Sequence, residues 1–313
     1  MSSLSQILSW FDSEVDLNRS KDPHAFNWVR CLPFVAMHLA CLLALVTGAS
    51  TFAILFCLGF FWLRMFAITA FYHRYFSHRS FQTSRPWQFV FAVLGNMSAQ
   101  RGPLWWAAHH RHHHQHSDQK QDLHSPLQRG FWWSHVGWFT CDASFQTQTH
   151  RIKDFYKYPE LRFINRYDML VPIITGLLIF GLGETLAVLA PALETNGFQL
   201  LVWGFFISTI VLFHSTVTIN SLAHCWGSRR FNTKDNSRNN FILALLTLGE
   251  GWHNNHHRWP RSAKQGFYWW EIDITYYILK AMAAVGIIHS LSPVPEKIYQ
   301  EVNRQTNLLA NQR

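Results

Sequence analysis

Twelve consecutive residues, Ala107 to Asp118, read AAHHRHHHQHSD and contain six histidines. A neutral imidazole offers a lone pair that suits iron, zinc, copper and nickel. The tract is therefore either a metal-sticky surface run or one wall of a built site, and spacing separates the two. Side chains three and four residues apart share one face of a helix. His110 stands in that relation to His113 and His114, and His253 to His256 and His257. Asn220 and His224 are also four apart. His73 and His78 are five apart, a spacing an ideal helix splays. They are expected to straddle a helix end, each reaching a different metal. Nine histidines in four separate groups exceed what one cation can hold; two cations with four or five nitrogen ligands each would use them all. Soluble di-iron bundles use Glu and two E-x-x-H motifs, whereas this chain has one, Glu250 to His253. The zincin motif H-E-x-x-H is absent, which excludes that protease class.

The elements that must gather these groups are apolar. The 313 residues are 49% hydrophobic, 16% aromatic and 14% charged, against about 25% charged in a soluble domain. A hydrocarbon core of about 30 Å needs roughly 20 apolar residues per helix. Four stretches qualify, residues 32–46, 51–70, 169–189 and 198–219, the first pair joined by the tight turn TGAS. Phe89–Ala99 is too short to span and reads as a buried or re-entrant helix. Arg64 lies inside the second span, so it is expected to face protein or the interface instead of lipid. The predicted fold is all-α: one domain over 1–313, with four transmembrane helices and a cytoplasmic helical part from 71–168 and 220–313. Lys and Arg crowd Arg74–Arg166 and the chain from Arg229 onward, and the joins Thr47–Ser50 and Gly183–Gly197 have none. The positive-inside rule then places both termini and every histidine group on the cytoplasmic face of a multi-pass membrane protein. The net charge of +9 is thus largely topological, and a nucleic-acid partner is not expected. Five cysteines without a C-x-x-C pair give neither a disulfide framework nor a zinc finger. The N-terminal MSSLSQILSWFDSEVD lacks a basic region, so it reads as a short amphipathic surface helix and not as a signal peptide.

With these motifs in order and spans of suitable length between them, the chain resembles the membrane fatty acid desaturases, in their Δ9, stearoyl-type branch. The branch's boxes H-x4-H, H-x2-H-H and H-x2-H-H stand here as HRYFSH (His73, His78), HRHHH (His110, His113, His114) and HNNHH (His253, His256, His257). Its N-S-x-A-H motif stands as NSLAH (Asn220, His224). RGFWWSHVGW and GEGWHNNHH read like the same branch, and the likeness runs from about Phe71 to Gly286. The resemblance implies a non-haem di-iron centre held by those ten residues, Asn220 acting weakly through water, with no catalytic side chain beyond the metal centre. It implies molecular oxygen as co-substrate and a saturated fatty acyl-CoA or acyl-lipid as substrate. One hydrogen leaves each of two adjacent carbons, giving a cis double bond at Δ9. Electrons would come from an external ferredoxin, rubredoxin or cytochrome b5-like donor, since no H-P-G-G box marks a fused one. Where animal relatives read Arg-Asp, this chain has Ala108 and His109, which leaves the acyl carrier open between coenzyme A and membrane lipid.

Elementary chemistry agrees with parts of that picture. An unactivated methylene offers nothing to an acid or base, so a redox metal must act, in a site shielded from water. Trp105, Trp106, Trp132, Trp133 and Trp252 are either walls of such a site or interfacial anchors. Glu250 is expected to orient a ligand imidazole, and Asp118 is either another such acceptor or a solvated loop acid. His109, His112 and His116 fall outside the ligand pattern, and His214 reads as a satisfied core histidine. His124 and His135 are structural or touch a substrate head group; His24, His38, His150 and His289 receive no role. Two other readings share features with this one. A related di-iron membrane hydroxylase has the same boxes. A metal-binding transporter needs polar coordination near the midplane, for which the spans offer only scattered candidates such as His38 and His214.

Overall fold

The computed structural model describes residues 3–15, 22 and 24–302. Its longest elements are four helices long and apolar enough to cross a membrane: α2 (Trp28–Thr47), α3 (Thr51–Ser77), α6 (Leu170–Leu189) and α7 (Gly197–His224). The chain is an integral membrane protein. Between and around these lie α1 (Ser3–Phe11), α4 (Arg85–Asn96), α5 (Pro103–His116), α8 (His253–Arg258) and α9 (Ile274–Ala284), with shorter helical turns named by residue. The first pair of spans is joined where Gly48 takes a φ of +63°. Ser50 then caps α3 by accepting from the Ala53 N–H at 3.1 Å. Outward leucines and valines such as Leu45, Val46, Leu177, Leu178 and Val188 are strongly exposed, as lipid-facing side chains must be.

The spans run further than apolar length alone predicts. α3 continues seven residues past Ala70 to Ser77, and α7 five past Ile219 to His224. α3 changes character on the way. It is α-helical to Phe66 and π-helical over Ala67–Ser77, every residue of that wide section being buried. Phe71 stacks face to face on Phe91 of α4 with ring centroids 3.9 Å apart. The core around this section also takes in Phe76 and Leu104. Most of the Phe89–Ala99 stretch lies in α4, whose inner face packs on α3 through Phe91 and Ala92 while Phe89 and Val90 stay exposed. A two-residue antiparallel ribbon, Gln82–Thr83 against Ile288–His289, ties the chain after α3 to the chain after α9.

Two buried arginines hold the bundle. Arg64 is 1% exposed. It donates to Thr209 Oγ1 at 2.6 Å and Ser208 Oγ at 2.5 Å on α7, and to the Met97 carbonyl at 3.3 Å. A cation inside a span is expensive unless its donors are met, and here hydroxyls, a carbonyl and the Phe60 ring meet them. Arg74 is also 1% exposed. It donates to Asp273 at 2.9 Å, Glu250 at 3.2 Å and the Ala263 carbonyl at 2.7 Å, which clamps the end of α3 to the C-terminal part. Arg64→Ala should lower stability by about 2–4 kcal/mol, because it strands Ser208 and Thr209 and leaves a void. The unfolding midpoint in detergent would fall by several degrees; an unchanged midpoint would mean these bonds carry no net stability.

Candidate metal centre

The four histidine groups converge beyond the ends of α3 and α7. His73, His78, His110, His114 and His256 form one cluster, and His113, His224, His253 and His257 a second; within each, the candidate donor atoms lie within 4.8 Å of one another. Five and four nitrogens match the count the sequence implies. One pairing differs from expectation: His73 and His78 belong to the same cluster. The cause is the π-helical end of α3, where the His78 N–H bonds the His73 carbonyl, five residues back, at 3.2 Å. A π-turn makes residues five apart neighbours. α5 divides its box, His110 and His114 facing the first cluster and His113 the second. α8 divides likewise, with His256 in the first and His253 and His257 in the second. α8 sits close because Gly249 and Gly251 precede it. Gly249 holds φ +127°, and a Cβ on Gly251 would lie 2.1 Å from the Ala244 nitrogen.

The spacing of the donors fits cations. His73 Nε2 lies 3.0 Å from His256 Nε2, which lies 2.9 Å from His114 Nε2; His78 and His110 Nε2 are 2.8 Å apart. In the second cluster His224 Nε2 and His253 Nε2 are 3.0 Å apart. Imidazole binds a divalent transition metal at about 2.1 Å, and two such donors at right angles lie about 3.0 Å apart. Carboxylates fix the tautomers. The Nδ1–H groups of His224, His113 and His257 donate to Asp118 at 2.9 Å, Asp122 at 3.0 Å and Asp235 at 2.8 Å. His73 Nδ1 pairs with Glu250 in the same way. With Nδ1 carrying the proton, Nε2 presents its lone pair inward. His257 Nε2 is buried without a protein partner, as a donor awaiting a cation should be.

Electrostatics favour the neutral ring at most of these histidines, while the Asp122 carboxylate raises His113 against burial. Burial first, and then the positive charge each ring would present to its neighbours, pushes His78, His110, His114, His253 and His256 well below the ordinary imidazole value. Burial takes His257 to about 4 against the pull of Asp235. Around them, burial opposes charge on Asp118, but donors from His224, Ser125 and Asn236 outweigh it and hold the carboxyl at about 2. Burial likewise opposes charge on Asp122 and Asp235. The His113 ring and the Asp118 N–H beside Asp122, and the His257 hydrogen bond to Asp235, hold both below the usual carboxylate range.

A largely apolar cavity of about 440 Å³ runs past the first cluster. It is lined by Ser9, Trp10, Ser13 and Arg30 beside α1, by Trp106, His110 and Asn220, and by Met37, Phe205 and Phe206. α1 is held there by the Trp10 indole donating to the Val29 carbonyl at 2.7 Å and by Arg166 donating to Asp12 at 2.7 Å. Of the five tryptophans considered, Trp105 and Trp106 line this cavity. Trp132 is 76% exposed and Trp252 packs with its indole on the Ile272 carbonyl, while the Trp133 indole bonds the Leu123 carbonyl. Asn220 faces the cavity, its carbonyl accepting from Ser134 at 3.0 Å. His109 lines the cavity and bonds the Gln146 carbonyl, His112 bonds the Gln121 carbonyl, and His116 packs on His112. His124 is buried against His113 and Trp138. Sequence reasoning missed Asp122 and Asp235. Each lies far from its histidine's box, and nothing in their local spacing announces the contact.

A bundle of four spans carrying paired imidazole cages beside an apolar cavity defines a membrane oxidoreductase class acting on long apolar chains. A model of the fatty acid desaturase family matches residues 23–289. The sn-1 stearoyl-lipid 9-desaturase of Anabaena variabilis is 34% identical over 87% of this chain and 96% of its own length. The palmitoyl-monogalactosyldiacylglycerol delta-7 desaturase of Arabidopsis thaliana is 34% identical over 85% of this chain and 62% of its own. The icosanoyl-CoA 5-desaturase of Limnanthes douglasii is 36% identical over 70% and 59%. The chain belongs to the fatty acid desaturase family.

His256→Ala and His113→Ala should each reduce the iron bound per chain after iron-replete expression, with insertion unchanged, whereas His112→Ala should retain the wild-type content. Metal analysis of purified protein decides; equal loss in the His112 and His113 variants would refute this division. The pH dependence has a definite sign. Histidines whose folded pKa is lowered contribute full stability above the unfolded value of about 6.5. They lose it as pH falls toward the folded value, about 4 for His257, because the unfolded chain takes up the protons. Metal-free protein should therefore keep its unfolding midpoint above about 6.5 and lose it steadily below; a flat midpoint across that window would contradict neutral cages.

Proposed function

We propose that this protein is an oxygen-dependent acyl-lipid Δ9 desaturase, with both cages filled by iron and facing the cytoplasm. The ligands are His73, His78, His110, His114 and His256 on one side, and His113, His224, His253 and His257 on the other, with Asn220 reaching the second through water. The observation that carries this reading is the continuity of the apolar cavity with the first cage at Trp106 and His110. Bound iron supplies the redox chemistry by which oxygen takes hydrogen from an unactivated methylene. A saturated chain, one oxygen molecule, two electrons and two protons give the alkene and two waters. The cavity residues hold the chain extended past the cages and exclude water, and the depth reached by the chain end among Phe205 and Phe206 selects the bond. Glu250, Asp118, Asp122 and Asp235 keep the Nδ1 protons and so hold the rings in register. Removing such an outer partner typically weakens metal affinity about 10–100-fold.

A membrane-lipid carrier is supported by the Anabaena relative's name and near-complete coverage. It is supported also by α1, which sits over the cavity mouth with Ile7, Leu8 and Phe11 exposed. Such a helix lies in the headgroup layer, where a glycerolipid chain enters sideways. The cytoplasmic orientation rests on the Lys and Arg distribution, and the electrons come from a separate ferredoxin, rubredoxin or cytochrome b5-like protein. Expression in a desaturase-deficient host, with an isotopic acyl pulse and product analysis, tests the assignment. Label should enter glycerolipid before unsaturation appears, and the product should be a Δ9 alkene. Unsaturation appearing first in acyl-CoA would overturn the carrier, and a hydroxylated chain without alkene would overturn the reaction.

A further inference from the structure

A second opening reaches the first cage without sharing any residue with the acyl cavity. It measures about 520 Å³ and is lined by Ser77, His78, Arg79, Arg111, Asp154 and the turn Trp259–Arg261. All of these residues except Ser77, the last of α3, lie outside the spans. Its lining includes His78, one of the five imidazoles of the first cage. Its rim is cationic. Arg79 keeps 61% of its side chain exposed, and Arg261 is exposed and makes no ion pair or hydrogen bond among the described residues. Asp154 is the only acid in the lining. Arg111 occupies both its oxygens, at 2.8 and 3.0 Å, and Arg79 adds a third bond at 3.2 Å. Three guanidiniums against one carboxylate leave the opening with two positive charges over. Lys297, over the Trp259 ring at 4.8 Å, adds to the same side.

This opening does not suit an acyl chain, being lined by arginines and an imidazole. It suits what must reach the cage while the acyl cavity is full. On the di-iron desaturase reading above, electrons are needed with substrate already in place, so they cannot enter through the cavity that the substrate occupies. The geometry points to the Arg79–Arg111–Arg261 opening as the docking surface for a small acidic one-electron carrier protein, with His78 as the route inward. Each encounter oxidises one reduced carrier, and two encounters supply the two electrons of a turnover. Complementary charge raises the encounter rate and makes it salt-sensitive. Arg79 and Arg261 act on the carrier, not on the acyl chain.

The test uses full-length protein in nanodiscs and an acidic plant-type ferredoxin as probe. Its dissociation constant is read by thermophoresis over a salt series, with KM for ferredoxin and kcat measured alongside. Arg261→Glu, and Arg79→Glu with Arg261→Glu, should weaken binding by about tenfold or more and flatten its salt dependence. KM should rise in parallel and kcat at saturating ferredoxin should hold. Wild type that shows no salt-sensitive binding, or variants that bind as wild type does, would overturn the proposal. So would a fall in kcat with binding unchanged, which would assign the opening to oxygen or protons. The desaturase reading fails separately, if wild type makes no alkene with any reductant.

Discussion

The constraint on which the rest depends is that nine imidazole nitrogens must present lone pairs toward one another in a buried volume. Unfilled, such an arrangement is unfavourable, since no hydrogen bond can join two bare lone pairs at 3.0 Å. The protein enforces it from outside. Asp118, Asp122, Asp235 and Glu250 each hold a proton on the far nitrogen of a ring. The Glu250 link runs on through Arg74 to Asp273 and Gln265. One face of that network is a clamp between α3 and the C-terminal part, and the other sets a ligand tautomer. Stability of the fold and readiness of the site are therefore the same set of bonds.

Local backbone choices follow from that demand. A straight α-helix would turn His73 and His78 away from each other, and the π-helical end of α3 turns them together. The left-handed backbone at Asp118, φ +59°, ends the second box just where its carboxylate can meet His224 and the Asn236 N–H. Gly251 before α8 lacks the side chain that would keep the third box off the helix Phe241–Leu246, and Gly249 lacks one that would strike Asp273. None of these features is favoured by propensity, and each stands where tertiary geometry overrides it.

The sequence announces the parts of the site whose spacing follows a helix. The second and third boxes are legible because rings three and four apart must share a face, and the division of nine imidazoles into groups of five and four accords with coordination capacity. The four spans are legible from apolar length, though not their ends, because Phe71–Ser77 and Asn220–His224 carry polar residues on helices that simply continue into the site. The pairing of His73 with His78 was not legible, since the π-helical turn that joins them, in a section packed into the core with Phe71 and Phe76, leaves no mark in residue spacing. Asp122 and Asp235 were not legible because a carboxylate nine or twenty-two residues from its histidine leaves no periodic trace. Glu250 was singled out by its motif with His253, although the ring it holds is that of His73.

The same residue type shows what the cages require by failing to form one elsewhere. His38 of α2, His214 of α7 and His135 also lie together, with His38 Nε2 3.1 Å from His214 Nε2 and His135 Nε2 3.1 Å from His214 Nδ1. Here His214 offers a different nitrogen to each neighbour, so the three donors have no common point. The string is a chain, closed at one end by the Phe34 carbonyl and at the other by Ser221. Each ring satisfies the next within an apolar slab, where an unpartnered imidazole would be costly. Phe34, Phe139 and Phe213, stacked edge to face at 5.1 to 5.2 Å, stand between this chain and the acyl cavity. Two histidines within the spans and His135 outside them thus tie α2 to α7 and steady an aromatic wall. Their ring nitrogens meet in a string and not at one point, so these three form no cage of the kind the nine imidazoles make. What separates nine ligands from three struts is convergence, set by carboxylates that the struts lack.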